Sequence, residues 1–219
     1  MKILLIGGSK GLGEELIAQL QDHEVLALYR TSSPPLDLTW EASKIKETIR
    51  MAIDILDGID VLLVSAGVGA YLSPLPKEED VENLFRTNVL GVMAVYQGAL
   101  KGLLKSKGKA VLVSSTCARR PGSGGLSYYG SSKAALNAFV MNEGRRAARH
   151  GVALCSVSVG FFESPMTKDM VPALKEATVK AIPFGRWGHK EEIAAFIASL
   201  IWQSNWCLAG SNFELSGGA

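Results

Sequence analysis

Short runs of almost uninterrupted apolar residues, each followed by a stretch of helical periodicity, leave this chain few ways to fold. The runs are Lys2–Ile6, Val25–Tyr29, Val61–Ser65, Ala110–Ser114 and Ala153–Val159, with a last short one at Asn212–Leu215. A strand with one wet face alternates apolar and polar residues, so runs apolar on both faces belong to strands covered on both sides. The intervening patterns predict helices over Leu12–Leu20, Ser43–Leu56, Asp80–Leu104, Tyr129–His150 and Lys190–Gln203. Such alternation implies a parallel sheet between two helical layers, a doubly wound α/β fold. The third helix is apolar around much of its circumference, which predicts burial, in part against a second subunit.

At 219 residues, with neither repeat nor linker, one domain spanning 1–219 is expected. Apolar residues at 47% and charged ones at 20% describe a globular chain. A formal charge of +2 gives no electrostatic reason to expect nucleic acid or an anionic membrane as partner. The apolar start is too short for a signal-peptide core, and no run reaches spanning length. Cys117, Cys155 and Cys207 form no CxxC pair, so a reduced, cytoplasmic setting is expected. His23, His150 and His189 are dispersed, without metal-ligand spacing.

Two connections stand out. Residues 161–189 carry Pro165, Pro172 and Pro183 and a short helix predicted near Met166–Lys180; connections of this length usually serve as lids or binding loops. Between Arg30 and Asp37 only six residues intervene, two of them proline, too few for a helix. The chain is expected to reach the next sheet position there by a short extended segment around Pro34–Leu38.

The chemistry concentrates in two places. Gly7-Gly-Ser9-Lys10-Gly11-Leu12-Gly13 joins the first strand to the first helix, where a glycine-rich turn can hold a pyrophosphate. Gly7 would permit the tight turn, Gly11 the approach of backbone to phosphate, and Gly13 close packing of helix on strand. Further on, Tyr129 and Lys133 stand four residues apart, on one face of a helix, after Ser114-Ser115. A phenol beside an ammonium suggests a proton donor next to a nicotinamide; alone, the pair would read as an exposed aromatic and a solvated charge.

These segments together resemble the classical short-chain dehydrogenase/reductase family. The glycine spacing is GxxxGxG; Ser65-Ala66-Gly67 is similar to the end of the family's Asn-Asn-Ala-Gly strand, and Thr87-Asn88-Val89 to its helix asparagine. Ser115, Tyr129 and Lys133 match its serine and YxxxK, Val159-Gly160-Phe-Phe-Glu-Ser164-Pro-Met166 its Pro-Gly-x-x-x-Thr-x-Met segment, and Leu215-Ser-Gly217-Gly218 its terminal Asp-Gly-Gly. The resemblance implies a Rossmann-type fold and hydride transfer between a nicotinamide and a carbonyl or secondary alcohol. Tyr129 would be general acid/base, its pKa lowered by Lys133, with Lys133 also on the nicotinamide ribose, Ser115 on the substrate oxygen and Asn88 in a proton relay. Thr116 rivals Ser115, whose interval to Tyr129 is one residue longer than usual. The resemblance also implies that Asp37 and Leu38 border the adenine, Ala66 and Gly67 the adenosine, and Ser164 the carboxamide, and that the chain forms a homodimer or homotetramer. Asp37 could equally be a turn residue before the next helix. Ile6, Val64-Ser65 and Val159 depart from the family's threonine, Asn-Asn and proline, removing side-chain hydrogen bonds between central strands.

NAD-specific relatives of such folds place an acid after the second strand. Here Arg30-Thr31-Ser32 follows it, offering a guanidinium and two hydroxyls, and Lys10 adds a cation in the glycine turn. NADP(H) is therefore expected over NAD(H), although both cations could be ordinary surface charges. The substrate wall is expected from Thr116–Ser127, Phe161–Phe162, Met166, Met170, Val171 and Leu174. Arg119 and Arg120 would attract an anion or simply face solvent. Two other readings share the fold: a non-catalytic NADP(H) sensor or scaffold, which needs no proton donor, and an extended-type epimerase, which the short length disfavours.

Overall fold

In a computed structural model, which describes residues 1–69, 76–120, 126–168 and 170–219, six parallel strands run in the order β2-β1-β3-β4-β5-β6. They are β1 Lys2–Ile6, β2 Glu24–Leu28, β3 Val61–Val64, β4 Lys109–Ser115, β5 Ala153–Val159 and β6 Asn212–Leu215. The helices are α1 Leu12–Gln19, α2 Ala42–Ile55, α3 Glu78–Phe85, α4 Val92–Ser106, α5 Ser127–Ala148, α6 Pro172–Lys180, α7 Lys190–Ser199 and α8 Asn205–Leu208.

The doubly wound expectation holds at the level of single residues. Leu4 and Ile6 of β1, Leu62 and Val64 of β3, Ala110 and Leu112 of β4 and Leu154 of β5 face the layer that holds α2, α4 and α5. Their neighbours Ile3, Leu5, Val61, Leu63, Val111, Cys155 and Val157 face α1 and α7. Because successive residues of a strand point to opposite faces, two filled cores require runs with no polar alternation. The in-register row Leu4, Leu62, Ala110, Leu154 crosses four strands on one face. Strand order reverses between β1 and β3, and ligands of open α/β sheets sit outside the carboxyl ends at such a point.

Two expected elements differ. No strand follows β2: the Tyr29 N–H donates to Ser32 Oγ at 2.8 Å, the Leu36 N–H returns to the Tyr29 carbonyl at 3.0 Å, and Leu36 and Leu38 are buried in the core. These bonds close a turn, so β2 is the sheet edge and residues 34–38 occupy no further sheet position. The predicted helix over Asp80–Leu104 begins as α3, passes through a π-helical segment, Arg86–Gly91, and continues as α4. Thr87, Asn88 and Val89 of that segment are all buried, and π-helical turns inside α-helices are frequent at functional sites.

Smaller differences follow local chemistry. The helix expected near Met166–Lys180 starts only at Pro172, its first-turn proline, and the one expected over Lys190–Gln203 ends at Ser199 with a 3₁₀ turn, Leu200–Trp202. No helix among the described residues is long and apolar enough to cross a membrane.

Candidate active site

The glycine turn packs so closely that side chains are excluded. Gly7 has φ 97°, and a Cβ there would lie 2.6 Å from the Ala66 nitrogen. A Cβ on Gly13 would overlap the Gly7 carbonyl oxygen and stand 2.8 Å from Ser65 Oγ. Gly11, with φ 62°, opens outward at the start of α1. Ser65 Oγ lies 3.2 Å from the Ile6 carbonyl oxygen and 3.1 Å from that of Gly7, and its one proton ties β3 to the turn. Loss of the family's Asn-Asn side chains is thus offset in part by a serine, a link the sequence reading had counted as removed.

A groove of about 430 Å³ runs along the carboxyl ends of the strands. Its walls bring together the predicted Gly7, Lys10, Gly11, Leu12, Gly13, Arg30, Gly67, Ser115, Tyr129, Lys133, Gly160 and Ser164. Ser9 and Thr31 are exposed outside it, and Ala66, Asp37, Leu38 and Asn88 do not line it. Asp37 has a turn role: its Oδ1 accepts the Thr39 N–H at 2.9 Å and hydroxyl at 2.8 Å. Leu38 packs into the core. The Ser32 hydroxyl, expected as a phosphate donor, faces the carbonyls of Tyr29 and Pro34 at 2.8 and 2.6 Å and is consumed by the turn. Lys10 and Arg30 are exposed on the groove and form no ion pair among the described residues.

At the reacting end, β4 delivers Ser115 and the first turn of α5 delivers Tyr129. Ser115 Oγ accepts the Cys117 N–H at 3.2 Å, which fixes a lone pair and leaves its proton to donate outward. Burial pushes the Tyr129 phenol up to about 12, with a hydrogen bond from Ser115 pulling the other way. Lys133, 4% exposed, donates from Nζ to the Val113 carbonyl at 3.0 Å, and burial brings it down to about 8. Its Nζ is 5.9 Å from the Tyr129 ring centroid. The direction is opposite to the lowering expected from Lys133: burial sets it, with the Ser115 hydrogen bond the only lowering influence, and the phenol is a neutral donor near pH 7.

Asn88 is fully buried behind the groove. Its Oδ1 accepts the Val68 N–H at 2.9 Å, and its Nδ2 donates to the Val68 carbonyl at 2.8 Å and to Ser132 Oγ at 3.1 Å. Ser132 in turn donates to the Tyr129 carbonyl at 2.7 Å. Asn88 thus joins the loop after β3 to the tyrosine's own helix. A Cβ on Gly67 would stand 3.2 Å from Asn88 Oδ1 and 3.3 Å from Lys133 Nζ, so glycine there lets the amide and the ammonium flank one point.

Ser132 and Thr167 carry no role in the sequence analysis, and Ser65 appears there only as a departure from the family's asparagine. Thr167 Oγ1 accepts the Ser164 N–H at 3.0 Å and folds Ser164–Thr167 over the groove; the Ser-x-x-Thr spacing was its signal. Met166 leans toward Gly69, where a Cβ would lie 2.9 Å from its Cγ, and Pro165 toward Gly11. Of the expected apolar wall, Met166 borders the groove, Leu174 lines a separate cavity, and Met170 and Val171 line neither. The part of Thr116–Ser127 between 121 and 125 lies outside the described residues. Arg120 contacts Glu214 at 2.6 Å and Arg119 approaches the same carboxylate at 3.9 Å.

Comparison with known proteins agrees with this architecture. Residues 1–175 match the family model described as short chain dehydrogenase. The carbonyl reductase family member 4 of Xenopus laevis is 30% identical over 215 residues, 90% of this chain and 89% of that protein. The 3-oxoacyl-(acyl-carrier-protein) reductase FabG of Vibrio cholerae is 27% identical over 80% of this chain and 72% of its own length. A short chain dehydrogenase from Burkholderia cenocepacia, solved in complex with NADP, superposes with TM-score 0.89 at 21% identity, covering 99% and 96% of the two chains.

Proposed function

The chain belongs to the short-chain dehydrogenase family, and on that premise we propose that it is an NADP(H)-dependent oxidoreductase interconverting a carbonyl compound and a secondary alcohol. The observation that carries the reading is the single groove in which the glycine turn, Ser115, Tyr129 and Lys133 meet. A dinucleotide fits it on physical grounds: the turn has no room for side chains at Gly7 and Gly13, and α1 begins beside its open face. When bound, the nicotinamide supplies or accepts the hydride.

The chain's own residues do the rest. Backbone N–H groups of the turn bind the pyrophosphate. Lys10 and Arg30, unpaired among the described residues and on the groove wall, hold the 2′-phosphate, which favours NADP(H) over NAD(H). Ser115 donates to the substrate oxygen, stabilising the negative charge that grows there in reduction. Its fixed lone pair favours it over Thr116 in this role. Tyr129, neutral near pH 7, gives its proton to that oxygen; in oxidation the proton returns. Lys133, largely charged below pH 8, favours the resulting phenolate and holds the ribose. Asn88 keeps the Val68 loop and α5 in register around these groups; its part in a proton relay rests on the family resemblance alone.

The names of the relatives fit a ketone as substrate. Exposed Leu90, Leu104 and Met141 on the π segment, α4 and α5 support a homodimer or homotetramer built on these helices, and the unbridged Cys117, Cys155 and Cys207 support a cytoplasmic setting. Oxidation of NADPH and of NADH by purified protein across a panel of aldehydes and ketones tests the proposal. Turnover with preference for NADPH supports it; dinucleotide binding with no turnover in either direction would leave a sensor.

A further inference from the structure

A second cavity, about 260 Å³, adjoins the groove and shares Thr116, Cys117, Gly160 and Phe161 with it. Its far wall is α6 with its C-cap residue, which turn Leu174, Ala177, Thr178 and Ala181 toward the space, one stripe at helical spacing. None of these residues is buried, so α6 does not use its apolar stripe to pack on the core. The helix is nevertheless pinned: Trp187 Nε1 donates to Thr178 Oγ1 at 2.9 Å, Lys175 pairs with Glu163 at 2.9 Å, and Trp187 stacks on Phe161 with centroids 5.6 Å apart.

Two of the cavity's polar side chains, Thr178 and Arg120, are engaged within the protein. Thr178 Oγ1 donates to the Lys175 carbonyl at 2.7 Å besides accepting from Trp187. The Arg120 guanidinium at the rim is held by Glu214, which answers its charge. What remains for a ligand is a largely apolar surface, with Thr116, Cys117, Ser216 and the backbone of Ala219 as its other polar contributors, and room for roughly eight groups the size of a water molecule at ~30 Å³ each.

We propose that this chamber receives the uncharged aliphatic portion of the substrate while its carbonyl lies in the groove against Ser115 and Tyr129, so that the substrate class is a ketone carrying an unbranched apolar chain. Ala177 and Ala181 set the length accepted. The substrate class rests on the oxidoreductase reading; the chamber's affinity for a chain does not.

The test is a homologous series from 2-butanone to 2-octanone with NADPH. In the parent protein kcat/KM rises about fourfold per added methylene, the factor equivalent to ~0.8 kcal/mol per buried CH₂. In Ala177→Leu/Ala181→Leu the 2-octanone to 2-butanone ratio falls at least tenfold. Both positions are exposed, Ala177 on α6 and Ala181 at its C-cap with helical backbone, so both tolerate leucine, and Ala181→Leu alone provides a milder variant. Calorimetric binding of 2-butanol and 2-octanol reads the chamber without chemistry. Preferential 2-octanol binding that the variant loses, with no ketone turnover, upholds the chamber and removes the oxidoreductase reading. Turnover with a flat chain-length dependence, or a slope the variant retains, overturns the chamber and leaves that reading intact.

Discussion

Replacing Asn88 by alanine should loosen the fold and the site together. The amide makes three hydrogen bonds from a fully buried position, two to the backbone of Val68 and one to Ser132. At ~0.5–1.5 kcal/mol net for each, their loss costs about 2–4 kcal/mol, the lower end applying because Val68, 37% exposed, can recover water. For a chain of this size that is a fall in Tm of roughly 5–15 °C. Asn88→Asp separates the components, since it keeps an acceptor for the Val68 N–H but cannot donate to the Val68 carbonyl or to Ser132. Its carboxylate would also face the Lys133 side of Gly67 and raise the lysine's pKa from its depressed value. Urea unfolding, with the m-value checked, gives the stability change, and kcat/KM for any accepted carbonyl gives the effect on the site. Less than 1 kcal/mol lost in Asn88→Ala, with unchanged turnover, would refute the clamp.

Three further outcomes follow from local geometry. Lys133→Met should abolish turnover yet stabilise the protein, measured without added dinucleotide, by about 1–3 kcal/mol at pH 7. The folded lysine titrates near 8, below the ordinary 10.5, so the parent is penalised below about pH 8 and the penalty fades as the pH rises to 10.5; paired denaturation curves at pH 7 and above 10 check this sign. Gly13→Ala would gain up to ~1 kcal/mol of helix propensity but overlaps the Gly7 carbonyl oxygen, so a net loss of about 1–3 kcal/mol in thermal melts and weaker NADPH binding are expected. Arg30→Ala should weaken NADPH binding about tenfold or more and leave NADH little changed, Lys10→Ala acting in the same direction; equal use of NADPH by parent and variant would remove the phosphate contact.

What the sequence made legible follows from where each signal was local. Strands covered on both faces announce themselves as continuous apolar runs, and Gly7–Gly13, Ser115, Tyr129 and Lys133 meet in one groove because each sits at a carboxyl strand end or the helix beside it. The π segment was not legible because its register answers to Val68, twenty residues away from Asn88. The turn after β2 depends on Ser32 reaching back to Tyr29, a bond that composition does not encode. The YxxxK spacing points to a lowered Tyr129 phenol, whereas burial, a property of the folded surroundings, raises it. The chamber beneath α6 was not legible because its lining joins residues from 116 to 219, brought together only by the fold.

The most direct measurement is transfer of label from NADPH deuterated at the nicotinamide C4 to the carbinol carbon of the product, with parent and Tyr129→Phe compared under saturating dinucleotide. The account predicts deuterium at that carbon in the parent, and in the variant undiminished NADPH binding with transfer slowed by orders of magnitude. Label transfer at the parental rate in Tyr129→Phe, or none in either protein, would contradict it.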